Sequence, residues 1–388
     1  AIVFDREDFV EPGEIRHYLE DHWGDHELAE QFTEADMRLV QCEDEKAVLD
    51  TFIQEVENKR PDLISGWNWL DFDHQYIINR LKRDEFSDIT EHRLSDVGAV
   101  GGYKTAQMID GLPGFDMMGA YTDKMTFSNW RSKSLDYVSN EVLGLGKVED
   151  MNIGEEYRQN RSRFLAYNII DTQLLVAMDE MNGIHEFFYQ LADLSSVQIY
   201  DTFSEMRLVD GFVISRRGPD EILPSSEEKQ LGKIAGGLVL TPSSGVNEWV
   251  AVLDLKSLYP SVFITLNVSE ETLTKDPDEA VFKCPAMPES EDDVGGEITE
   301  DHISWDLDKP VAMGLQDDHE GILPKYLKLL FDERAAMKAK RDEFNPEDRE
   351  YDVYDNKQAA IKVVMNSFYG VSQNAYYRLS NPIRGDDG

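Results

Sequence analysis

The amino-acid sequence predicts a multidomain protein that combines α/β and α+β architecture. Its 388 residues are enough for two to three domains of about 150 residues each, and 41% hydrophobic residues are enough to fill sizeable cores. Helix and strand patterns alternate in the first half, as in open α/β sheets, whereas two long helical patterns follow near the end. No apolar run approaches the ~18 residues that cross a bilayer, so we expect no membrane partner.

The edge of the first predicted sheet carries polar residues. Apolar spacing within Lys46–Arg60 predicts a helix, and Asp62–Ser65 predicts a short buried strand. Helical periodicity resumes within Tyr76–Leu81, so Asn68–Asp73 lies where the carboxyl end of a strand meets the start of a helix. Open α/β sheets place their sites at such edges. The sequence therefore indicates a candidate site there.

A longer helix is predicted over Glu156–Met181. Tyr167 and Asp171 are four residues apart within it and therefore share one face. Taken singly, Asp73 is equally well explained as a helix cap and Asp171 as a solvated helix position. Neither short pattern decides a function by itself.

The middle of the chain marks a change of domain. Residues 220–235 are polar and Gly236–Gly237 opens a new strand pattern, so we place a boundary near residue 232. Trp249–Asp254 is an apolar run of buried-strand length that ends in an acid. A carboxylate held there suits Mg²⁺, which prefers one or two carboxylates plus phosphate oxygens. Residues 286–320, acidic and aperiodic, predict an inserted loop.

Two helices joined by a turn are predicted near the end of the chain. Pro324 is a suitable first residue for a helix that runs to about Glu343. Asn345–Asp348 predicts a turn. A second helix is expected from about Glu350 to Phe368.

One face of these helices carries the groups that a nucleotide needs. Lys362, Asn366 and Tyr369 lie at i, i+4 and i+7, and form a stripe of a cation, an amide and an aromatic ring. Arg334 and Lys338, also four apart, add two cations from the other helix. Basic helix faces are often merely solvated. In a chain of net charge −39, however, such a cluster indicates binding of a polyanion.

The charge of the chain is extreme, with 77 acidic and 38 basic residues spread over nearly every segment. This pattern is typical of proteins that work in molar salt, so we interpret the source as halophilic, with an acidic mesophilic surface as the alternative. Taken alone, the charge argues against DNA as a partner. The two cysteines, Cys42 and Cys284, are too few for a disulfide framework or a cysteine zinc site, which favours a cytoplasmic location.

Two long motifs resemble the family B (alpha-like) DNA polymerases. Asp254-Leu-Lys-Ser-Leu-Tyr-Pro-Ser261 is similar to polymerase motif A, and Lys362-x-x-x-Asn366-Ser-Phe-Tyr369-Gly370 is similar to motif B. Ile264–Ser269 and Gly321–Pro324 are similar to the archaeal members. The resemblance implies an archaeal or archaeal-virus enzyme that copies DNA, in replication or repair, by two-metal nucleotidyl transfer.

The resemblance also assigns roles to residues of this half. Asp254 would bind the catalytic metal ions, and Tyr259 would be the steric gate against a ribose 2′-hydroxyl. Tyr369 would lie under the nascent base pair, and backbone amides around Leu258 would cradle the triphosphate. The other residues that the resemblance assigns to the incoming nucleotide are Leu255, Ser257, Arg334, Lys338, Lys362 and Asn366.

The N-terminal half resembles the RNase H-like 3′–5′ proofreading exonuclease of the same family. Asn68-x-x-x-Phe72-Asp73 is similar to the Exo II motif, and Tyr167-x-x-x-Asp171 is similar to the Exo III motif. Asp73 and Asp171 would bind metal ions about 4 Å apart, with Asn68 beside them, and Tyr167 would orient the attacking water. Mg²⁺ is the implied cofactor of both sites, and Mn²⁺ a substitute for it.

Three features depart from the family pattern. Asp5-Arg-Glu7 matches the Exo I motif formally, but Pro12–Trp23 predicts a turn and a helix where a further strand is expected, so we place Exo I upstream of the chain. Motif C should follow motif B, and Asp386–Asp387 lies in a loop sequence rather than after an apolar strand. Ile234 replaces the tyrosine often found before the Gly-Gly of the linker. The chain is therefore expected to be an incomplete fragment, inactive alone as a polymerase.

We keep two alternatives, an exonuclease-only protein with a vestigial nucleotide-binding module and a non-catalytic acidic interaction protein. The length of motifs A and B argues against both.

The expected partners are primer–template DNA, deoxynucleoside triphosphates and a sliding clamp. The expected domains are an exonuclease domain over 1–190, a connector over 191–235, a partial palm with motif A and the acidic insertion over 236–323, fingers helices with motif B over 324–370, and the start of the return to the palm over 371–388.

Overall fold

A computed structural model divides the chain into two compact units, Ala1–Glu186 and Phe187–Gly388. No helix that it describes is long and apolar enough to cross a membrane. The structure describes residues 2–5, 10–34, 38–83, 86, 91–95, 97–98, 100, 109–124, 130–148, 151–219, 221–225, 245–246, 248–253, 257–274, 280–283, 314–315, 317–372, 374 and 376–379.

Helices and short strands alternate in the first unit. Its strands are β1 (Ile2–Asp5), β2 (Leu39–Cys42), β3 (Ile64–Gly66) and β4 (Gly114–Asp116). Its α-helices are α1 (Pro12–Trp23), α2 (Ala29–Thr33), α3 (Glu45–Lys59), α4 (Asp73–Leu81), α5 (Met117–Gly119), α6 (Leu135–Leu143), α7 (Ile153–Gln159) and α8 (Arg161–Asn182). Helix α9 (Ile184–Ser195) runs across the division between the units.

The described strands of this unit form two parallel pairs. β1 pairs with β2, with Ile2 opposite Leu39, and β3 pairs with β4, with Ile64 opposite Gly114. Parallel neighbours require crossover connections, and α1 and α2 lie between β1 and β2 in the chain. Because β3 and β4 run the same way, their carboxyl ends meet at one edge of the sheet.

Apolar side chains hold the helices of this unit together. Trp23 of α1 is buried and stacks on Phe32 of α2, with the ring centroids 4.6 Å apart. Its indole N–H donates to Gln173 Oε1 of α8 at 2.8 Å, so the polar edge of the ring is satisfied inside the core. A second cluster joins α3 to α4, with Ile53 fully buried and Ile78 beside it.

His185 ties the end of α8 to strand β3. Its Nδ1 lies 2.8 Å from Asp179 Oδ2, and its Nε2 lies 3.0 Å from Ser65 Oγ. The backbone N–H of His185 also donates to Asp179 Oδ1 at 2.9 Å. These contacts fix the strand that leads directly into Asn68.

Within the described residues, the second unit contains one short sheet and long helices. Its α-helices after α9 are α10 (Glu205–Arg216), α11 (Leu258–Thr265), α12 (Ile322–Arg341) and α13 (Arg349–Ser372). Strand β7 (Gly314–Leu315) pairs antiparallel with both β5 (Leu273–Thr274) and β6 (Phe282–Lys283).

The two long helices predicted near the end are confirmed as α12 and α13, with ends shifted by a few residues. The predicted turn between them is closed by Asp348 N–H donating to Asn345 O at 2.9 Å. Phe212 of α10 contacts both helices edge-on, with ring centroids 6.2 Å from Tyr326 and 6.4 Å from Phe368. Phe212 therefore packs against a buried residue of each helix.

The helix predicted over Glu156–Met181 is broken, which corrects the sequence-based expectation. Asn160 leaves helical geometry at φ −142° and ψ 78°, ending α7 and beginning α8. Its Oδ1 accepts from Arg163 N–H at 3.1 Å, an N-terminal cap that satisfies a donor left free by the break.

The buried strand predicted over Trp249–Asp254 is wrong for residues 249–253. Trp249 is 98% exposed and Leu253 is 94% exposed, and residues 249–253 are neither strand nor helix. An apolar run is buried only where a neighbouring strand or helix covers it, and none within the described ranges does so here. The predicted features that lie outside the described residues are the side chains of Asp5 and Glu7, together with Ile234, Gly236–Gly237, Asp254, Leu255, most of 286–320 and Asp386–Asp387.

Candidate active sites

The edge of β3 and β4 brings Asn68 next to an aspartate of the neighbouring strand. Asp116 is the last residue of β4, and its Oδ1 accepts from Asn68 N–H at 3.0 Å and from Met118 N–H at 2.9 Å. Asn68 is in the left-handed region at φ 58°, which asparagine tolerates better than most residues. Burial raises the pKa of Asp116, although the hydrogen bonds that it accepts act in the opposite direction.

The turn from Asn68 to Asp73 is fixed by the indole of Trp69. This ring is buried and passes so close to Gly114 that a Cβ atom there would lie 2.7 Å from Trp69 Nε1. Only glycine therefore allows this approach between turn and strand. At the end of the turn, Asp73 is the first residue of α4, and burial raises the pKa of its carboxyl group. The predicted placement of Asn68 and Asp73 at a strand end and a helix start is confirmed.

Tyr167 and Asp171 share one face of α8, as predicted, and the structure adds a lysine to them. Lys147 Nζ lies 2.7 Å from Asp171 Oδ2 and 4.7 Å from the ring centroid of Tyr167. Burial raises the pKa of Asp171, and Lys147 and Tyr167 offset this only in part. Burial also opposes the charge of Lys147, but Asp171 and Tyr167 outweigh it and raise the pKa of the ammonium.

A short loop after α6 places this lysine. Gly144 ends α6 in the left-handed region at φ 70°, and Asp136 Oδ1 accepts from Lys147 N–H at 2.7 Å. A Cβ atom at Gly146 would lie 2.5 Å from that same oxygen, so a larger residue there would displace the Asp136 carboxylate from this contact. The loop thus holds the Lys147 ammonium against Asp171.

One oxygen of this cluster is unsatisfied. Asp171 Oδ1 is buried and has no hydrogen-bond partner in the part of the chain that the structure describes. A buried acceptor without a donor is costly unless a ligand meets it, and a divalent cation is a fitting ligand for a carboxylate. No group of three or more His, Cys, Asp or Glu side chains among the described residues is arranged to hold a metal ion by itself. The metal set predicted from Asp73 and Asp171 thus remains a prediction.

In the second unit, helix α11 begins within motif A. Ser257 precedes the helix in the left-handed region at φ 53°, and Leu258 is its first residue. The N–H groups of a first helical turn have no partner within the helix and point outward, which favours anions there. Leu258 and Tyr259 are both 46% exposed, so this end of the helix is open to solvent.

Motif A and motif B meet through two aromatic rings. The rings of Tyr259 and Tyr369 stack at 4.2 Å between centroids with 19° between their planes. Phe263, one turn along α11, meets Tyr369 edge-on at 6.4 Å and 86°. Stacked and edge-on aromatic pairs at these distances stabilise their mutual geometry by about 1 kcal/mol each. The structure thus brings together Tyr259 and Tyr369, which the sequence separates widely.

The predicted nucleotide-binding stripe lies on the open side of α13. Lys362 and Asn366 are exposed and Tyr369 is half-buried, whereas Val364 and Phe368 face the core. On α12, the Arg334 guanidinium donates from Nε and Nη2 to Gln358 Oε1 at 3.3 and 3.1 Å. Burial lowers the pKa of Arg334 from its ordinary value.

Three residues that the sequence reasoning missed contribute to these sites. No periodic sequence pattern singles out Asp116 or Lys147. Only the fold brings Asp116 to Asn68 and Lys147 to Asp171. Gln358 is different, because it lies four residues before Lys362 and so occupies the same helical row. That spacing was a usable signal.

Two family models match this chain. The DNA polymerase family B exonuclease domain matches residues 20–138, and DNA polymerase family B matches residues 205–379. The chain belongs to the family B DNA polymerases, with an exonuclease domain followed by part of the polymerase region.

Relatives of the chain include DNA polymerases of phages and archaea. It is 26% identical over 306 residues to the DNA-directed DNA polymerase of Escherichia phage RB69 (76% of this chain, 33% of that protein). It is 27% identical over 349 residues to the DNA polymerase of Archaeoglobus fulgidus (87% of this chain, 40% of that protein). The chain thus spans about a third of the length of the phage relatives.

A solved structure shares the fold. The family B DNA polymerase from the hyperthermophilic archaeon Pyrobaculum calidifontis superimposes with a TM-score of 0.65 at 21% identity, over 87% of this chain and 42% of that one. The predicted multidomain fold of this family is confirmed.

Proposed function

We propose that this chain is part of a DNA-templated DNA polymerase with a 3′–5′ proofreading exonuclease. The observation that carries the proposal is the stacking of Tyr259 on Tyr369, since it joins motif A to motif B in one site. Family membership supports the same function. It also argues against the exonuclease-only and non-catalytic alternatives, because the match to the polymerase region extends over residues 205–379.

On the polymerase side, different side chains would contact different parts of the nucleotide. The Tyr259 ring would close the space that a ribose 2′-hydroxyl needs, and Tyr369 would support the base pair from below. Three cations, Arg334, Lys338 and Lys362, would neutralise the triphosphate by charge-assisted hydrogen bonds. The remaining contacts would come from Asn366 and from the segment that contains Leu255, Ser257 and Leu258.

We propose Mg²⁺, with Mn²⁺ as a substitute, as the metal of both sites, held by Asp254 in one and by Asp73 and Asp171 in the other. Bound metal ions would stabilise the attacking and leaving oxygens of an in-line displacement. The unsatisfied Asp171 Oδ1 supports this, because a metal ion would give that oxygen its missing partner.

On the exonuclease side, Lys147 would hold the Asp171 carboxylate by the 2.7 Å ion pair. Tyr167, on the same helix face, would orient the water that attacks the terminal phosphodiester. Asn68 and Asp73 would line the opposite part of the cleft, at the edge that Asp116 organises.

The proposed partners are primer–template DNA, deoxynucleoside triphosphates and a sliding clamp, and the cysteine usage supports a cytoplasmic location.

The net charge of −39 supports a halophilic source. Molar salt shortens the Debye length to ~3 Å, so contacts with DNA must then be close-range. Folding and DNA binding should improve from low salt to molar KCl. An affinity that falls steadily with salt from about 50 mM, as ordinary counterion release predicts, contradicts the halophilic interpretation.

The proposed activity is tested on the full-length protein with a labelled primer on a DNA template. With deoxynucleotides and Mg²⁺ the primer should lengthen, and without deoxynucleotides its 3′ end should shorten. A protein that only shortens primers supports the exonuclease-only alternative. A protein that does neither contradicts the proposal.

A further inference from the structure

Arg334 has an unusual partner for an arginine in so acidic a chain. Other arginines meet carboxylates, as in the pairs Arg378–Asp210 at 2.6 Å and Arg341–Asp355 at 2.8 Å. Arg334 forms no ion pair with any carboxylate of the described residues. Its guanidinium donates instead to the neutral side-chain oxygen of Gln358.

Gln358 is held so that its oxygen faces the guanidinium. Its Nε2 donates to Asp355 Oδ1 at 3.2 Å, and that carboxylate also accepts from Arg341 Nη1 at 2.8 Å. Turning the amide round would place two donors against each other at Arg334 and two acceptors against each other at Asp355. Gln358 is buried, so few alternative orientations are open to it.

A neutral partner has an electrostatic consequence. An amide oxygen orients a guanidinium but leaves its positive charge in place, whereas a carboxylate would cancel it. Nε and Nη2 of Arg334 donate to the one Gln358 oxygen, whereas Nη1 does not and is available for an anion. Gln358 lies one turn before Lys362 on α13, so the oriented guanidinium belongs to the same row of polar groups.

We infer that Gln358 is a positioning residue for the triphosphate site: it aims Arg334 while leaving that charge free for a deoxynucleoside triphosphate. The inference deepens the proposed polymerase function and rests on it. It predicts that a carboxylate at position 358 is worse for nucleotide binding than an apolar side chain, although the carboxylate makes the stronger bond to Arg334.

The test is steady-state incorporation of one deoxynucleotide by the full-length protein. Gln358→Glu should raise KM for the nucleotide about tenfold while kcat stays within about threefold, because the new carboxylate competes with the triphosphate for Arg334. Gln358→Leu should raise KM only about threefold. The melting temperature is measured beside KM for both variants, because each loses the hydrogen bond from Gln358 Nε2 to Asp355 and a raised KM counts only in protein that remains folded.

Two controls separate positioning from general charge. Gln54→Glu adds the same charge at an exposed glutamine of α3 that contacts Asp50, and it should leave KM unchanged. Arg334→Ala should raise KM, and adding Gln358→Glu to it should raise KM no further, because the two residues act through one contact. Equal KM values for Gln358→Glu and wild type, or full additivity with Arg334→Ala, would overturn the inference.

A binding measurement keeps this inference separate from the polymerase proposal. Calorimetric titration with inorganic tripolyphosphate requires no catalysis, and Gln358→Glu should weaken its binding about tenfold relative to wild type. If primers are not extended but tripolyphosphate binding depends on Gln358 in this way, the proposed function fails and the positioning role stands. If primers are extended and tripolyphosphate binds both forms equally, the positioning role alone fails.

Discussion

Two half-buried cations in this chain, Lys147 and Arg334, have opposite kinds of partner. Lys147 meets the carboxylate of Asp171 at 2.7 Å, whereas Arg334 meets the neutral amide of Gln358 at 3.1 Å. In the first region the cation lowers the pKa of a carboxylate that burial raises, and we propose that it holds this group in place for a metal ion. In the second region we propose that the cation keeps its own charge for an anionic ligand. The partner, rather than the cation, indicates what each region binds.

The largest effect on the exonuclease side is expected from the carboxylate itself. Asp171→Ala should slow 3′-end shortening by about a thousandfold, or about 4 kcal/mol of barrier, because a proposed metal ligand is lost. Primer extension should continue at the wild-type rate. Glu180→Ala, at an exposed position of the same helix, is the matched control and should change neither activity. An active Asp171→Ala exonuclease would remove this residue from the site.

The second-largest effect is expected on the polymerase side, in the choice of sugar at Tyr259. Tyr259→Ala should keep extension with deoxynucleotides but admit ribonucleotides about a hundredfold more readily, because the missing ring opens space for one hydroxyl. Tyr259→Phe retains the ring and its stacking on Tyr369, so it should select sugars as wild type does. Parallel assays with each nucleotide type measure the ratio. Unchanged selection in Tyr259→Ala would show that another group sets the choice.

The smallest effect concerns the cation of the exonuclease region and depends on pH. Lys147→Met should slow shortening about tenfold near neutral pH, as expected for loss of a group that orients a metal ligand. The folded pKa of Asp171 is already raised by burial, and Lys147 lowers it. Without Lys147 that pKa rises further, so activity should be lost at a higher pH on acidification. Lys133→Met breaks an exposed ion pair with Asp123 and should leave the profile unchanged. If wild type and Lys147→Met lose exonuclease activity at the same pH on acidification, the role proposed for Lys147 is wrong.

Regular periodicity made the helices of both regions predictable. The apolar rows of α3, α12 and α13 repeat at helical spacing, so their positions follow from the residues alone. The break at Asn160 could not be predicted in this way, because a single side chain that caps the start of α8 interrupts an otherwise helical pattern. The buried strand predicted for residues 249–253 was wrong for another reason, since burial of an apolar run depends on partners elsewhere in the fold.

Helical spacing alone predicted those parts of the candidate sites whose residues share one helix. Tyr167 and Asp171 share a helix, as do Lys362 and Asn366, so spacing alone groups them. Lys147 reaches Asp171 through a loop whose course depends on Gly146 and on a hydrogen bond to another helix. No local pattern contains that information.

The central claim is that the polymerase region of this chain contributes the carboxylate on which DNA synthesis depends. It is tested most directly by primer extension with full-length Asp254→Ala in Mg²⁺, beside Asp352→Ala, an exposed position of α13, as the matched control. We expect Asp254→Ala to lose at least about a thousandfold in extension rate while it still shortens primers, which shows that it is folded. Extension by Asp254→Ala at the wild-type rate would contradict the assignment of motif A and the function built on it.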